Sequence, residues 1–175
     1  MAEFKKTKLE IDHKFDQRTN RHYLNGVQSV YHCHHYTSLY TQLAIDAGET
    51  ELLQKCAEES FFNVLSGYFE SSGICNLQDR IEIACQYFSA MGLGVMEVNY
   101  LGDDSGEIEL PFSLLDEGWK KKWGNFDKPV NYIGAGYMAA MFSAIMDKSV
   151  GDFAVLEVQS IVQGKKTSVF KVVKK

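Results

Sequence analysis

The stretch GVMEVNYLGDDSGEIELPF, residues 94–112, decides the fold class. Before it, apolar residues recur at spacings of three and four. Within it they alternate. Met96, Val98 and Tyr100 share one face, with Glu97 and Asn99 on the other. Beyond the turn at residues 102–106, Ile108, Leu110 and Phe112 again oppose Glu107 and Glu109. A period of two on both sides of a Gly/Asp/Ser turn predicts an antiparallel hairpin with one dry face and one wetter face.

Working outward, three helices are predicted upstream. The first runs from about Val27 to Ala47 and stops at Gly48. Its buried stripe is Cys33, Tyr36, Leu39, Tyr40, Leu43, Ala44 and Ala47. The second runs from about Thr50 to Glu70. The third follows Asn76, a good N-cap with Asp79 at the third helical position. Downstream, residues 113–133 are irregular apart from a short helix around Leu115 to Trp123. A fourth long helix runs from about Ala135 to Asp147. The β-rich runs Phe153 to Val162 and Thr167 to Val173 then form a second hairpin around Gly164. This order predicts an α+β fold, with helices packed on one face of an antiparallel sheet built from two hairpins. Residues 1–25 are mixed and charged, with a short strand around Leu9 to Ile11. They read as an N-terminal extension, mobile or swapped onto a dimer partner, and residues 26–175 as a single domain.

Composition narrows the function. Hydrophobic residues make up 45% of the 175 and charged residues 23%, which fits a globular chain rather than a disordered one. The net charge of -5, with only two short basic patches (Lys5, Lys6, Lys8 and Lys120, Lys121, Lys122), argues against direct nucleic-acid binding as the main function. No apolar run is long enough to span a membrane, and no apolar segment follows the first lysines as in a secretory leader, so a cytoplasmic location is expected. The aromatic share, 13%, suits a lined cavity or an apolar dimer interface.

The densest chemical cluster is His32-Cys33-His34-His35-Tyr36. Placed on a helix at about 100° per residue, Cys33 points inward with His32 beside it, His35 lies at the margin and His34 points away. His32 and His35, one turn apart, could share zinc or another transition metal, with further ligands supplied from elsewhere. Cys33 beside His32 also invites a thiol nucleophile. Glu97 and Glu157 each interrupt an apolar strand. They belong to the wet face of the sheet, or one of them reaches a pocket and holds a ligand's polar end.

The C-terminal half, from about Leu93 to Val173, resembles the 4-vinyl-reductase-like family, also called the hydrocarbon-binding domain. The resemblance rests on Glu117 to Trp119, on Gly136-Tyr137 at a helix start, and on the closing series Glu157, Gly164 and Phe170. It implies an α+β domain akin to a vesicle-tethering complex subunit, paired as a homodimer and enclosing an apolar cavity for a small hydrophobic or lipid-like ligand. Many members of the family carry cysteines where this chain has Ala135, Gln159 and Ser168, so a cysteine-based metal site in this half is disfavoured.

Three functions follow. The first is a non-catalytic binding or sensor module whose candidate ligand-binding residues are His32, Cys33, Tyr36, Tyr40, Trp119, Tyr137, Met141, Phe142 and Glu157. The second is a metal-dependent or thiol enzyme centred on the helix of His32 to His35. The third is a structural dimerisation module.

Overall fold

The computed structural model describes residues 7–175; Lys5 and Lys6 of the first basic patch lie outside them. The chain opens with a three-stranded meander, β1 (His13–Asp16), β2 (Arg21–Leu24) and β3 (Val27–Ser29), each strand antiparallel to the next. Three helices follow: α1 (His34–Ala47), α2 (Thr50–Ser71) and α3 (Leu77–Ala90). Then come β4 (Gly94–Leu101), β5 (Ser105–Ser113), α4 (Leu114–Trp123), α5 (Tyr132–Ile145), β6 (Phe153–Gln159) and β7 (Ser168–Lys174). The main sheet has the order β4-β5-β7-β6, all antiparallel, so two hairpins join through β5 and β7. Ile108, Leu110, Phe170 and Val172 are buried beneath the helices, while Lys171 opposite Glu107 and the exposed Leu156 lie on the outer face.

The expected stripe on the fourth long helix widens to a full circumference. Every residue of α5 from Gly134 to Ile145 is buried, because α5 runs between α2 and the sheet. Gly136 permits this. A Cβ there would stand 2.4 Å from the Gln54 carbonyl oxygen and 2.7 Å from Ala57 Cβ of α2. The Tyr137 hydroxyl donates to the Ala84 carbonyl of α3 at 2.6 Å, tying a third helix to the same axis.

The first helix differs from expectation in extent and facing. Residues 27–29 pair with β2 as a strand, and the helix starts only at His34, capped at Cys33. Its buried positions are Ser38 and Thr41, whereas Tyr36, Leu39, Tyr40 and Leu43 are exposed. The reason is close packing on α4. A Cβ on Gly118 would meet His34 Cβ at 2.9 Å and Ser38 Oγ at 3.1 Å, so only small side chains fit this contact. Their hydroxyls are satisfied internally, Ser38 donating to the His34 carbonyl at 2.8 Å and Thr41 to the Thr37 carbonyl at 3.4 Å. The angular placement deduced for a longer helix falls with it. Cys33 is exposed, and of the three histidines at 32, 34 and 35 it is His34 that is partly buried.

Two smaller corrections concern strands. The β4–β5 register shifts between Val95 and Glu97 and again between Val98 and Tyr100, which turns Tyr100 outward instead of leaving it with Met96. The run predicted to Val162 ends as a strand at Gln159 and closes in a 3-10 turn at Ile161–Gln163. Among the described residues no helix is long and apolar enough to cross a membrane.

Gly136→Ala should force α2 and α5 apart and lower stability by about 2 kcal/mol or more, the range of core overpacking; urea unfolding against the unsubstituted chain measures it. Gly67→Ala, on α2 but facing open space, is expected to be neutral or mildly stabilising in the same assay.

Candidate functional site

The sheet, α4 and α5 meet at a cluster of polar side chains with almost no access to water: Ser113, Asp116, Asn131, Glu157, Ser160 and Ser168. Helix capping places three of them. Ser113 caps α4 and accepts from the Asp116 amide at 3.3 Å. Asn131 caps α5, its Oδ1 accepting from the Gly134 amide at 2.9 Å. A Cβ on Gly134 would lie 2.4 Å from that oxygen, which explains the glycine. Asn131 then spends its remaining donors on the cluster. Its Nδ2 donates to Ser113 Oγ and to Asp116 Oδ2, both at 3.0 Å, and its amide donates to Glu157 Oε2 at 3.1 Å. Ser168 of β7 donates to Asp116 Oδ2 at 3.0 Å and accepts from the Ile161 amide at 2.9 Å.

The cluster holds two carboxyl groups and no cation. Among the described residues the ion pairs join Lys14 to Asp12, Arg80 to Asp147 and Lys174 to Asp104, and none involves a residue of this network. Asp116 Oδ1 and Glu157 Oε1 are enclosed without a hydrogen-bond partner. Burial raises the pKa of both groups, making them weaker acids than free carboxyls. For Glu157, burial and then the charge of Asp116 lift the carboxyl from its ordinary 4.5 to about 7. The hydroxyls of Ser160 and Ser168 stand close enough to offset part of that rise without completing a bond to Oε1.

Glu157 is also one of the residues lining a cleft of about 260 Å³. Pro129, Ala135, Val155 and Leu156 give it hydrocarbon walls, and Gln54, Lys128, Asn131 and Tyr132 supply polar groups. Burial and the nearby Glu157 keep the Tyr132 phenol protonated by raising its pKa. A larger open groove of about 810 Å³ adjoins it through Gln54 and Val155, with Glu51, Lys55, Glu58, Glu59 and Lys175 on its charged walls. Small organic ligands favour the first kind of surface, apolar with a few convergent polar groups.

The residues singled out in the sequence fall into separate places. His32, Tyr36 and Tyr40 form an exposed aromatic ladder, His32 stacked on Tyr36 at 4.9 Å and Tyr36 edge-on to Tyr40 at 5.0 Å. Tyr137, Met141 and Phe142 fill the core along α5 and line neither cleft. Trp119, on the inner side of α4, is buried against Trp123 and Phe126. Glu157 alone lies at a cleft. His32 precedes α1, so the one-turn spacing proposed for His32 and His35 as metal ligands is absent. His35 instead packs on His34 at 4.0 Å, and among the described residues no three His, Cys, Asp or Glu side chains are grouped as for a metal. In the closing segment, Ser160 rather than Gln159 shares the cluster with Ser168; Gln159 bonds the Thr167 carbonyl at 3.0 Å. Missed altogether were Ser113, Asp116 and Asn131. The Ser113-to-Asp116 spacing is a helix-start signal and could have marked two of them, but not their burial.

No protein-family model matches the chain, and no curated protein sequence matches it. Solved structures do. The phenol-responsive sensory domain of the transcription activator PoxR, determined with phenol, has a TM-score of 0.78 at 12% identity, over 93% of this chain and 84% of that one. A vinyl-4-reductase family protein from Methanocaldococcus jannaschii has a TM-score of 0.56 at 22% identity, over 84% of each chain. A trafficking protein particle complex subunit 3 from Naegleria fowleri, covalently bound to palmitic acid, has a TM-score of 0.53 at 18% identity, over 80% of this chain and 90% of that one. At these identities the likeness is one of fold: helices packed on antiparallel sheets.

The raised Glu157 carboxyl sets a sign for the pH dependence of stability. Below about 4.5 the folded and unfolded chains both hold the proton, and the group costs nothing. As pH rises from 4.5 to about 7 the unfolded chain ionises first and stability falls; above 7 the loss is constant. Glu157→Gln should remove this slope and stabilise the protein at pH 8 by on the order of 2 kcal/mol, measured by urea unfolding at stepped pH values.

Proposed function

We propose that the chain is a non-catalytic binding or sensor module for a small hydrophobic ligand, seated in the cleft over Glu157. The observation that carries this reading is the combination found there: hydrocarbon walls around a carboxyl group that burial has left short of partners. A ligand with an apolar body and a polar head answers both features. The fold supports the reading, since it is similar to that of a phenol-responsive sensory domain and of a subunit covalently bound to palmitic acid. Membership of the 4-vinyl-reductase-like family is part of the same proposal. Of the sequence-selected ligand residues, Glu157 serves the cleft, while the core aromatics shape the scaffold behind it. Phenol added to the isotopically labelled protein should shift the amide signals of Tyr132, Ala135, Val155 and Leu156. Leu156→Asp, at an exposed wall position, should weaken that binding about tenfold. Saturating phenol with no response at the cleft would sink the reading.

A second part of the proposal is that two copies pair through the outer face of α1. Val30, Tyr31, Tyr36, Leu39, Tyr40 and Leu43 are all exposed, Tyr31 to 72%. Together they present on the order of 600 Å² of largely apolar surface, comparable with the roughly 800 Å² per partner of a stable interface. From Val30 to Ile45 the chain has no Asp, Glu, Lys or Arg. A two-fold self-contact there therefore brings no like charges together. Light scattering should give the mass of a dimer at micromolar concentration, and the double variant Tyr40→Glu with Leu43→Glu should give a folded monomer.

A further inference from the structure

We propose that the cleft over Glu157 selects a small organic ammonium ion, a primary amine carried on a single ring or short chain. This rests on the binding-module reading above and names the class of its ligand. Three hydrogen bonds reach the two carboxyl groups: Asn131 and Ser168 donate to Asp116, and the Asn131 amide donates to Glu157. All three donors are neutral. Glu157 is 8% exposed, its Oε1 is enclosed without a partner, and no lysine or arginine among the described residues forms an ion pair with either acid. A carboxylate held in such a place pays for burial without a counter-ion, so a ligand that brings positive charge relieves a cost the fold already carries. An alcohol of the same shape supplies one hydrogen bond and leaves the charge uncompensated. A carboxylate ligand adds a third negative group.

The rest of the cleft fits an ammonium on a short apolar body. Pro129, Ala135, Val155 and Leu156 can cover the hydrocarbon part, and Gln54 and Tyr132 offer further oxygen acceptors. The volume of about 260 Å³ limits the ligand to about one ring. The titratable and charged groups facing Glu157 are Asp116 from α4, Tyr132 from α5 and Lys128 from the segment before α5; α2 contributes uncharged Gln54 and β7 uncharged Ser168. Lys128 is the chain's own cation at this cleft, and it competes with the ligand rather than assisting it. Glu157 ionises near neutrality while an alkylammonium keeps its proton, so amine binding strengthens from mildly acidic to mildly alkaline pH.

The test is a titration of the whole chain with benzylamine, benzyl alcohol and benzoate, followed by amide chemical shifts at pH 5.5 and pH 8. The expected result at pH 8 is benzylamine binding at least tenfold more tightly than benzyl alcohol, with benzoate weakest. At pH 5.5 that preference should shrink to threefold or less. Glu157→Gln should abolish the preference, and Lys128→Ala should keep or raise it. Equal or tighter binding of benzyl alcohol at pH 8 overturns the proposal, as does an amine preference that survives in Glu157→Gln. If that variant does not fold, the pH dependence of the unsubstituted chain decides alone. Alcohol binding at the cleft without amine preference defeats the ammonium proposal and leaves the binding module standing. Silence from all three probes defeats both.

Discussion

The close approach of α2 and α5 at Gly136 is the constraint on which the other elements hang. With no side chain at that position, α5 can lie against the Gln54 carbonyl and Ala57. That places Gly134 to Ile145 in the interior on every side. Once α5 is fixed, Tyr137 reaches α3, and Phe142 sits so near Gly106 that a Cβ on that glycine would touch its ring at 2.3 Å. Helix layer and sheet are thereby set by the same helix, through two glycines on opposite sides of it. The middle of α5 is packed on every side, and the cleft beside Glu157 opens at the helix's first turn, at Tyr132 and Ala135.

That first turn is where the polar chemistry gathers. A helix start leaves amide groups without internal partners, and Asn131 answers one of them while spending its other donors on Asp116, Ser113 and Glu157. One residue thus ties together α4, α5 and β6, and Ser168 adds β7. The arrangement leaves acceptors in excess of donors. Two carboxyl groups in that position hold protons more tightly than free ones, and the fold tolerates them because neutral hydroxyl and amide groups satisfy half of their oxygens.

Much of the scaffold could be read from periodicity. The second helix was expected from Thr50 to Glu70 and runs Thr50–Ser71, and the Asn76 cap of α3 accepts from Asp79 as its spacing suggests. Both hairpins of the main sheet were legible, the first from alternation and the second from two β-rich runs around Gly164. The first helix was not, because its apolar stripe is real but faces outward; periodicity identifies a face without saying what covers it. The N-terminal meander was also missed, although Asn25-Gly26, both with positive φ, is a hairpin-turn signal. The carboxyl cluster was legible only at Glu157. Ser113, Asp116 and Asn131 are residue types normal at exposed helix starts, and only the packing of α4 and α5 against the sheet shows that these starts are dry.

The strand order β4-β5-β7-β6 has a consequence for how the chain is made. The strand latest in sequence, β7, occupies a central place, between two strands synthesised before it. Until it emerges, β5 and β6 each lack a neighbour on the side that faces the gap. During vectorial synthesis the nascent chain therefore displays two open strand edges, the inner faces of Ile108 and Val155, and an Asp116 still without Ser168. Between the emergence of β5 and that of β7 the β5 edge is open to wrong pairing, and the sheet is completed only when the last strand inserts.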